Sequence, residues 1–463
     1  MLERGEKLSN NRSELDMTQG DISKVIVRFA VPLLWGNLFQ QLYNVVDSLV
    51  VGNFAGQSAL AAVSSSGSLM QLMVGFIHGA FMGMGVVVSR CMGAKDDEYV
   101  SKATHTMMLF SAFCGIVLTF MGVVLTPVIL RMMGTPADVL PNSILYTRIV
   151  FAGSLFNVLY NAANGVFNAV GDSKHPLYYL IFSSVLNVIL DLILVGGFHM
   201  GVAGAAWATI TSHAASAWLA LHRLGKEDAP WRLSWDKLHI DGGLLKMGLR
   251  VGIPSGLSGA MISIANVFVQ SNINSFGTLA MAGCGVYQKI EGFAFLPINA
   301  FSMAMTTFTG QNLGAGERER VKKGAIFGVL CCVIMSETIG LLLHFFGEYV
   351  VALFNNNPEV IAYGTSYSKV TGKFFFLLSA SHCIAGVLRG AGKSLVPMVV
   401  MMVFWCFVRV SYLSLVIPVV RDIRYVFWAY PMTWLMSTVT MLIYTFKSNW
   451  LDQTNEWTGQ IGF

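Results

Sequence analysis

The chain has 463 residues, of which 54% are hydrophobic and 12% charged, with a mean hydropathy of +0.61 and a formal net charge of +5. Soluble globular domains carry about 25% charged residues, so this composition excludes an ordinary water-soluble enzyme or binding module. Predominantly apolar runs such as Met107–Ile129, Leu177–Val195, Ile326–Phe345 and Met398–Val420 recur along the chain. Each is close to the ~20 residues that cross a hydrocarbon core as a helix, and no alternating pattern of a membrane β-barrel appears. The expectation is an all-α polytopic membrane protein.

In chain order, residues 1–24 are polar and of mixed charge, which reads as a cytoplasmic tail and not as a cleavable signal. The first span, 25–51, contains QQLYNVVDSLVVG, in which Gln40, Tyr43 and Asp47 stand three and four apart and so share a helix face. A carboxylate at the bilayer centre costs at least ~2.5–3.5 kcal/mol, so Asp47 needs a role or a partner. The second span, 59–88, has glycines at 75, 79 and 83, a seam for close helix packing. After a third span at 103–130, the fourth (143–169) sets Asn161, Asn164 and Asn168 along one side. The fifth (177–197) holds Asn187 and Asp191 four apart, and the sixth (202–222) adds Thr209 and Thr211. No Lys or Arg lies on these stripes, and two carboxylates near one another in low dielectric cannot both stay ionised without a proton or a shared cation.

A linker at 224–243 leads to six more spans near 247–273, 279–309, 324–347, 360–388, 396–419 and 425–446. Here Val269 stands where the second copy would repeat Asp47, and charges within the spans include Lys289, Glu291, Lys369, Lys373 and Arg409. Lys289 and Glu291 are candidates for a substrate cavity, together with Gln40 and Asn168 of the first half. Pro32 and Pro254 free backbone carbonyls within spans and are candidate hinges. The seven cysteines have no metal-ligand spacing and read as small packing residues.

The basic residues orient the chain. Twenty-one of the 30 Lys and Arg lie on the side of the tails and the loops after even-numbered spans, against three (Arg131, Arg421 and Arg424) on the other. Positive charge marks the cytoplasmic face, so both termini are expected inside, including the tail at 448–463. The excess charge is a topology signal and not a nucleic-acid patch.

The chain also resembles itself at an offset of about 221 residues. AVPLLWGNLFQQLYN aligns with GIPSGLSGAMISIAN, SRCMGAKDDEYVSKA with GQNLGAGERERVKKG, and NAVGDSKHP with RGAGKSLVP. Two parallel six-helix bundles, 25–223 and 244–447, are therefore expected, an architecture that in transporters binds substrate between repeats.

These motifs, with SSVLNVILDLILVGGFHMGVAGAAWATITS, resemble the multidrug and toxic compound extrusion (MATE) family over about residues 25 to 446. The resemblance implies a bacterial plasma-membrane antiporter exporting cationic or amphipathic organic compounds by alternating access in exchange for H⁺ or Na⁺. It places a cation site on Asp47, Asp191, Asn187 and Thr209, with Tyr43, Asn161 and Asn164 alongside, Na⁺ at Asp47 and Asp191 being the candidate metal. No organic cofactor, nucleic acid or enzymatic activity is expected, membrane lipid is the surrounding partner, and the working unit is expected to be a monomer. A lipid-linked glycan flippase of the same superfamily is the alternative, which Lys289, Lys369, Lys373 and Arg409 keep open.

Overall fold

The computed structural model describes residues 14–55, 57–226 and 228–451, and every regular element among them is helical. Helix α1 (Ile22–Val50) continues directly into a π-helical turn, π1 (Val51–Ala55), followed by α2 (Gln57–Gly93) and α3 (Asp97–Met132). Helices α4 (Leu140–Ala152) and α5 (Ser154–Ala169) form one rod bent by 49°. Helix α6 (Lys174–Asp191) runs into π2 (Leu192–Gly197), and α7 (Gly201–Lys226) closes the first half. The second half is α8 (Gly242–Asn274), α9 (Thr278–Gly314), α10 (Arg318–Ala352), the joined pair α11 (Pro358–Thr371) and α12 (Phe375–Gly390), then α13 (Leu395–Met401), π3 (Met402–Val408), α14 (Arg409–Val420) and finally α15 (Ile423–Lys447). Joined end to end, these pieces make the twelve membrane-spanning rods expected from the hydropathy pattern.

Among the described residues, eight helices are long and apolar enough to cross a membrane by composition alone, or nine with the bent pair. The shortfall has a physical cause in α9, which buries Thr306, Thr307, Thr309, Gln311 and Asn312. A rod that turns polar residues onto other helices needs less apolar surface than one that faces lipid.

By compactness the chain divides into two units. One comprises Val31–Gly252 with the described residues ahead of Thr18, and the other Thr18–Ala30 with the described residues from Ile253 onward. Both internal borders fall within a continuous helix, one residue before Pro32 in α1 and one before Pro254 in α8. The two hinge candidates therefore mark where each repeat's first helix passes from one unit to the other.

Within the first unit, α2 meets the beginning of α8 through glycine. A methyl group on Gly83 would collide with the Gly248 carbonyl and the Gly252 backbone, and one on Gly252 would collide with Gly79 and Ala80. The linker is also held in this unit. His105 Nε2 accepts from the Ser234 N–H at 3.1 Å, Thr106 Oγ1 accepts from the Asp241 N–H at 3.0 Å, and Trp231 is buried. In the second unit, both Nη atoms of Arg320 donate at 2.7 Å, one to the carbonyl of Gln19 and one to that of Gly20, tying the entrance of α1 to α10.

Candidate functional site

The polar stripes of the first half converge where α1 and α6 each give way to a π-helix. Asp47 lies one turn before π1, and Asp191 is the last residue before π2. The two π segments touch. Such segments are rare and concentrate at functional positions. Asp191 and Asn187 are fully buried, and Asp47 lies with its carboxyl within hydrogen-bonding reach of that of Asp191. With its amide turned to the orientation that satisfies both neighbours, Asn187 donates to Asp191 Oδ2 at 2.8 Å and accepts from the Thr209 backbone N–H at 3.2 Å.

The Thr209 hydroxyl is the second junction. It donates to the Ala205 carbonyl at 2.9 Å, while the phenols of Tyr43 and Tyr146 converge on its oxygen. One hydroxyl offers one donor and two lone pairs, so all three capacities are used. Each aspartate keeps Oδ1 buried with no hydrogen-bond partner among the described residues. Val51 of π1 and Val195 of π2 belong to one buried apolar cluster with Val139, Tyr146, Val202 and neighbouring alanines.

Chemically, the arrangement offers two carboxyls in contact, one amide and one shared hydroxyl. Two such carboxyls hold a proton between them or share a cation across their open oxygens. The donors are oxygen only, which suits a hard monovalent ion. Among the described residues no three His, Cys, Asp or Glu side chains gather as a transition-metal site would require.

The remaining candidates are distributed differently. Asn161 donates its amide to the Asn157 carbonyl at 2.8 Å and to Asn157 Oδ1 at 3.0 Å. Asn164 partners the Tyr160 phenol, and Asn168 is buried nearer the end of α5. Gln40 is exposed and lies 3.4 Å from Asn44 on its own helix. In the second unit Lys289 is exposed while Glu291, two residues on, is buried.

Three residues escaped the sequence reading. Tyr146 lies in α4, across the 49° bend from the asparagines of α5, so a stripe extended along one straight helix misses it. Asn157 and His213, whose side chains lie 3.4 Å apart, stand four residues from Asn161 and Thr209 respectively. Their helical spacing was the available signal.

Comparison with known proteins places the chain itself. The MatE family model matches residues 32–193 and 254–413, both copies of the internal repeat. The chain is 31% identical over 381 residues to the probable multidrug resistance protein YoeA of Bacillus subtilis, covering 80% of this chain and 82% of that protein. It is 29% identical to the probable multidrug resistance protein YpnP of the same organism, over 84% of this chain and 87% of that one. Among solved structures, a MATE in complex with MaL6 superimposes with a TM-score of 0.88 at 22% identity, covering 94% of this chain and 98% of that chain. A MOP superfamily transporter from Pyrococcus furiosus gives 0.88 at 22% identity over 93% and 96% of the two chains.

Proposed function

This chain belongs to the MatE family, and on that premise we propose that it is a multidrug efflux transporter that exchanges H⁺ or Na⁺ for cationic or amphipathic organic compounds by alternating access. The observation that carries the coupling is the contact between the carboxyls of Asp47 and Asp191. Each has a buried Oδ1 left open, and both are surrounded by Asn187, Thr209, Tyr43 and Tyr146. A proton or a Na⁺ entering here neutralises a charge that the low-dielectric surroundings oppose. Its arrival and departure therefore change the electrostatics of α1 and α6, and that change is the available means of driving release of an exported cation. The 21-to-3 partition of Lys and Arg supports both termini on the cytoplasmic face of a bacterial plasma membrane. The fusion of two repeats in one chain supports a monomer as the working unit.

The test is dye efflux from cells carrying the wild type or Asp47→Asn, with Na⁺ and pH gradients imposed separately. Efflux should follow one gradient and disappear in the variant while its amount in the membrane is unchanged. Efflux that persists in Asp47→Asn would overturn the site. Absence of dye efflux in the wild type under both gradients would point to the flippase alternative.

A further inference from the structure

In the second unit, α10 carries an exposed apolar stripe of Leu330, Ile334, Leu341 and Phe345. Glu337 stands in the middle of that stripe, three residues after Ile334 and four before Leu341, and is half-buried. It is 19 residues from the start of the helix and 15 from its end, so at 1.5 Å per residue it lies more than ~20 Å from either. The rod is long and apolar enough to cross a membrane, and its exposed apolar side faces acyl chains. An ionisable group at that depth is costly, and by default it marks a function. Packing does not call for it. At the 221-residue offset of the repeat, Ile116 of α3 holds the same place and is exposed as well.

The carboxyl is held from one side. Glu337 Oε2 accepts the N–H of Phe376, in the first turn of α12, at 2.8 Å. It makes no other hydrogen bond and no ion pair among the described residues, so Oε1 is open. Aromatic rings continue from this contact. The Phe376 ring lies 6.4 Å from that of Phe374, and the Phe374 ring 5.6 Å from that of Trp428 on α15. Lys373, in the 3-10 turn Gly372–Phe374 that joins α11 to α12, sets its ammonium 5.6 Å from the Phe374 centroid and 5.8 Å from the Trp428 centroid. These rings therefore already take one cation of the chain's own, and that ammonium is turned to them and forms no ion pair with Glu337.

Sign, depth and surroundings select the occupant. A carboxylate oxygen takes a cation, and lipid headgroups lie at the interface, half of a ~30 Å hydrocarbon core away. A hard metal ion needs several oxygen ligands, and among the described residues no such group of side chains gathers here. An organic cation with an apolar body meets every condition. It dissolves among acyl chains, brings its nitrogen to the open carboxylate oxygen and lays its body on the exposed stripe and the aromatic rings.

We infer that Glu337 is the centre of a membrane-facing binding site for hydrophobic organic cations, with the cationic nitrogen at Oε1 and the apolar body along α10 and the Phe376 ring. The inference goes beyond the coupling site and rests on the efflux reading only for transport, in which the site would collect exported compounds from the acyl phase. Binding is measured without any ion gradient. The probe is a dodecyltrimethylammonium with a diazirine on its chain, and the control is an uncharged dodecyl maltoside with the same diazirine. Each is photolysed with the purified full-length protein in lipid nanodiscs, and the adducts are mapped by mass spectrometry. In the wild type the ammonium probe should label residues 330–345 and 373–376 at least fivefold more than the control does. Glu337→Gln keeps an acceptor for the Phe376 N–H and should bring that ratio to about one. Lys373→Met removes the neighbouring positive charge and should raise the ratio at least twofold, a gain that a purely structural Glu337 would not produce. Equal labelling by the two probes in the wild type means an ordinary lipid-facing surface and overturns the assignment. A ratio unchanged in Glu337→Gln, or one that does not rise in Lys373→Met, overturns it as well. The efflux reading fails separately, through efflux that persists in Asp47→Asn.

Discussion

Thr209 carries three obligations on one oxygen: it donates to the Ala205 carbonyl and receives the phenols of Tyr43 and Tyr146. Thr209→Val keeps the shape and removes the hydroxyl, leaving two phenols in a largely dry site without their acceptor. Each unsatisfied buried group costs about 1–3 kcal/mol, so the variant should still fold but with a less fixed coupling site. The expected result is at least a tenfold loss of gradient-driven dye efflux with normal expression, and wild-type efflux would show that the hydroxyl is dispensable. Asp47, Asp191, Asn187, Thr209 and Tyr43 were all legible in the sequence, because a polar residue inside an apolar run stands out and helical spacing tells which of them share a face. Legibility stopped at partner choice. Nothing local in the sequence says that Asn161 turns to Asn157 rather than toward the aspartates, since two positions on one helix can satisfy an amide equally well.

At the scale of the element, the spacing of small residues decides how closely two rods approach. Gly83 has its missing side chain's place taken by the Gly248 carbonyl and the Gly252 backbone, whereas among the described residues nothing lies within 4 Å of a methyl built on Gly75. Gly83→Ala should therefore push α2 from α8 at a cost of about 1–3 kcal/mol, the range for overpacking, and lower the thermal midpoint of the purified protein. Gly75→Ala is the control and should shift it little. Equal shifts in the two variants would refute the account. The seam at 75, 79 and 83 was visible as a spacing, but its partner was not, because α8 begins more than 150 residues later in the chain. The bend between α4 and α5 and the three π segments were likewise absent from the sequence reading, as each depends on what packs against the helix.

For the whole molecule, the charge partition predicts that a fluorescent protein fused after Phe463 will mature in the cytoplasm, while alkaline phosphatase fused there stays inactive. Active phosphatase at that site would reverse the orientation. The repeat also exposes an asymmetry: the first copy holds two carboxyls in contact, whereas the second buries one acid, Glu291, and one base, Arg409. Twelve rods in two related halves, the membrane setting and the buried acids of α1 and α6 followed from the sequence by itself, because hydropathy, charge and helical period are properties of neighbouring residues. Only the tertiary structure decided that Tyr146 reaches Thr209 across a bend, that the Asp47 and Asp191 carboxyls meet, and that Arg409 finds Thr433 and two aromatic faces. Those contacts join residues far apart in the chain, and their existence depends on how helices pack against one another, which no local pattern encodes.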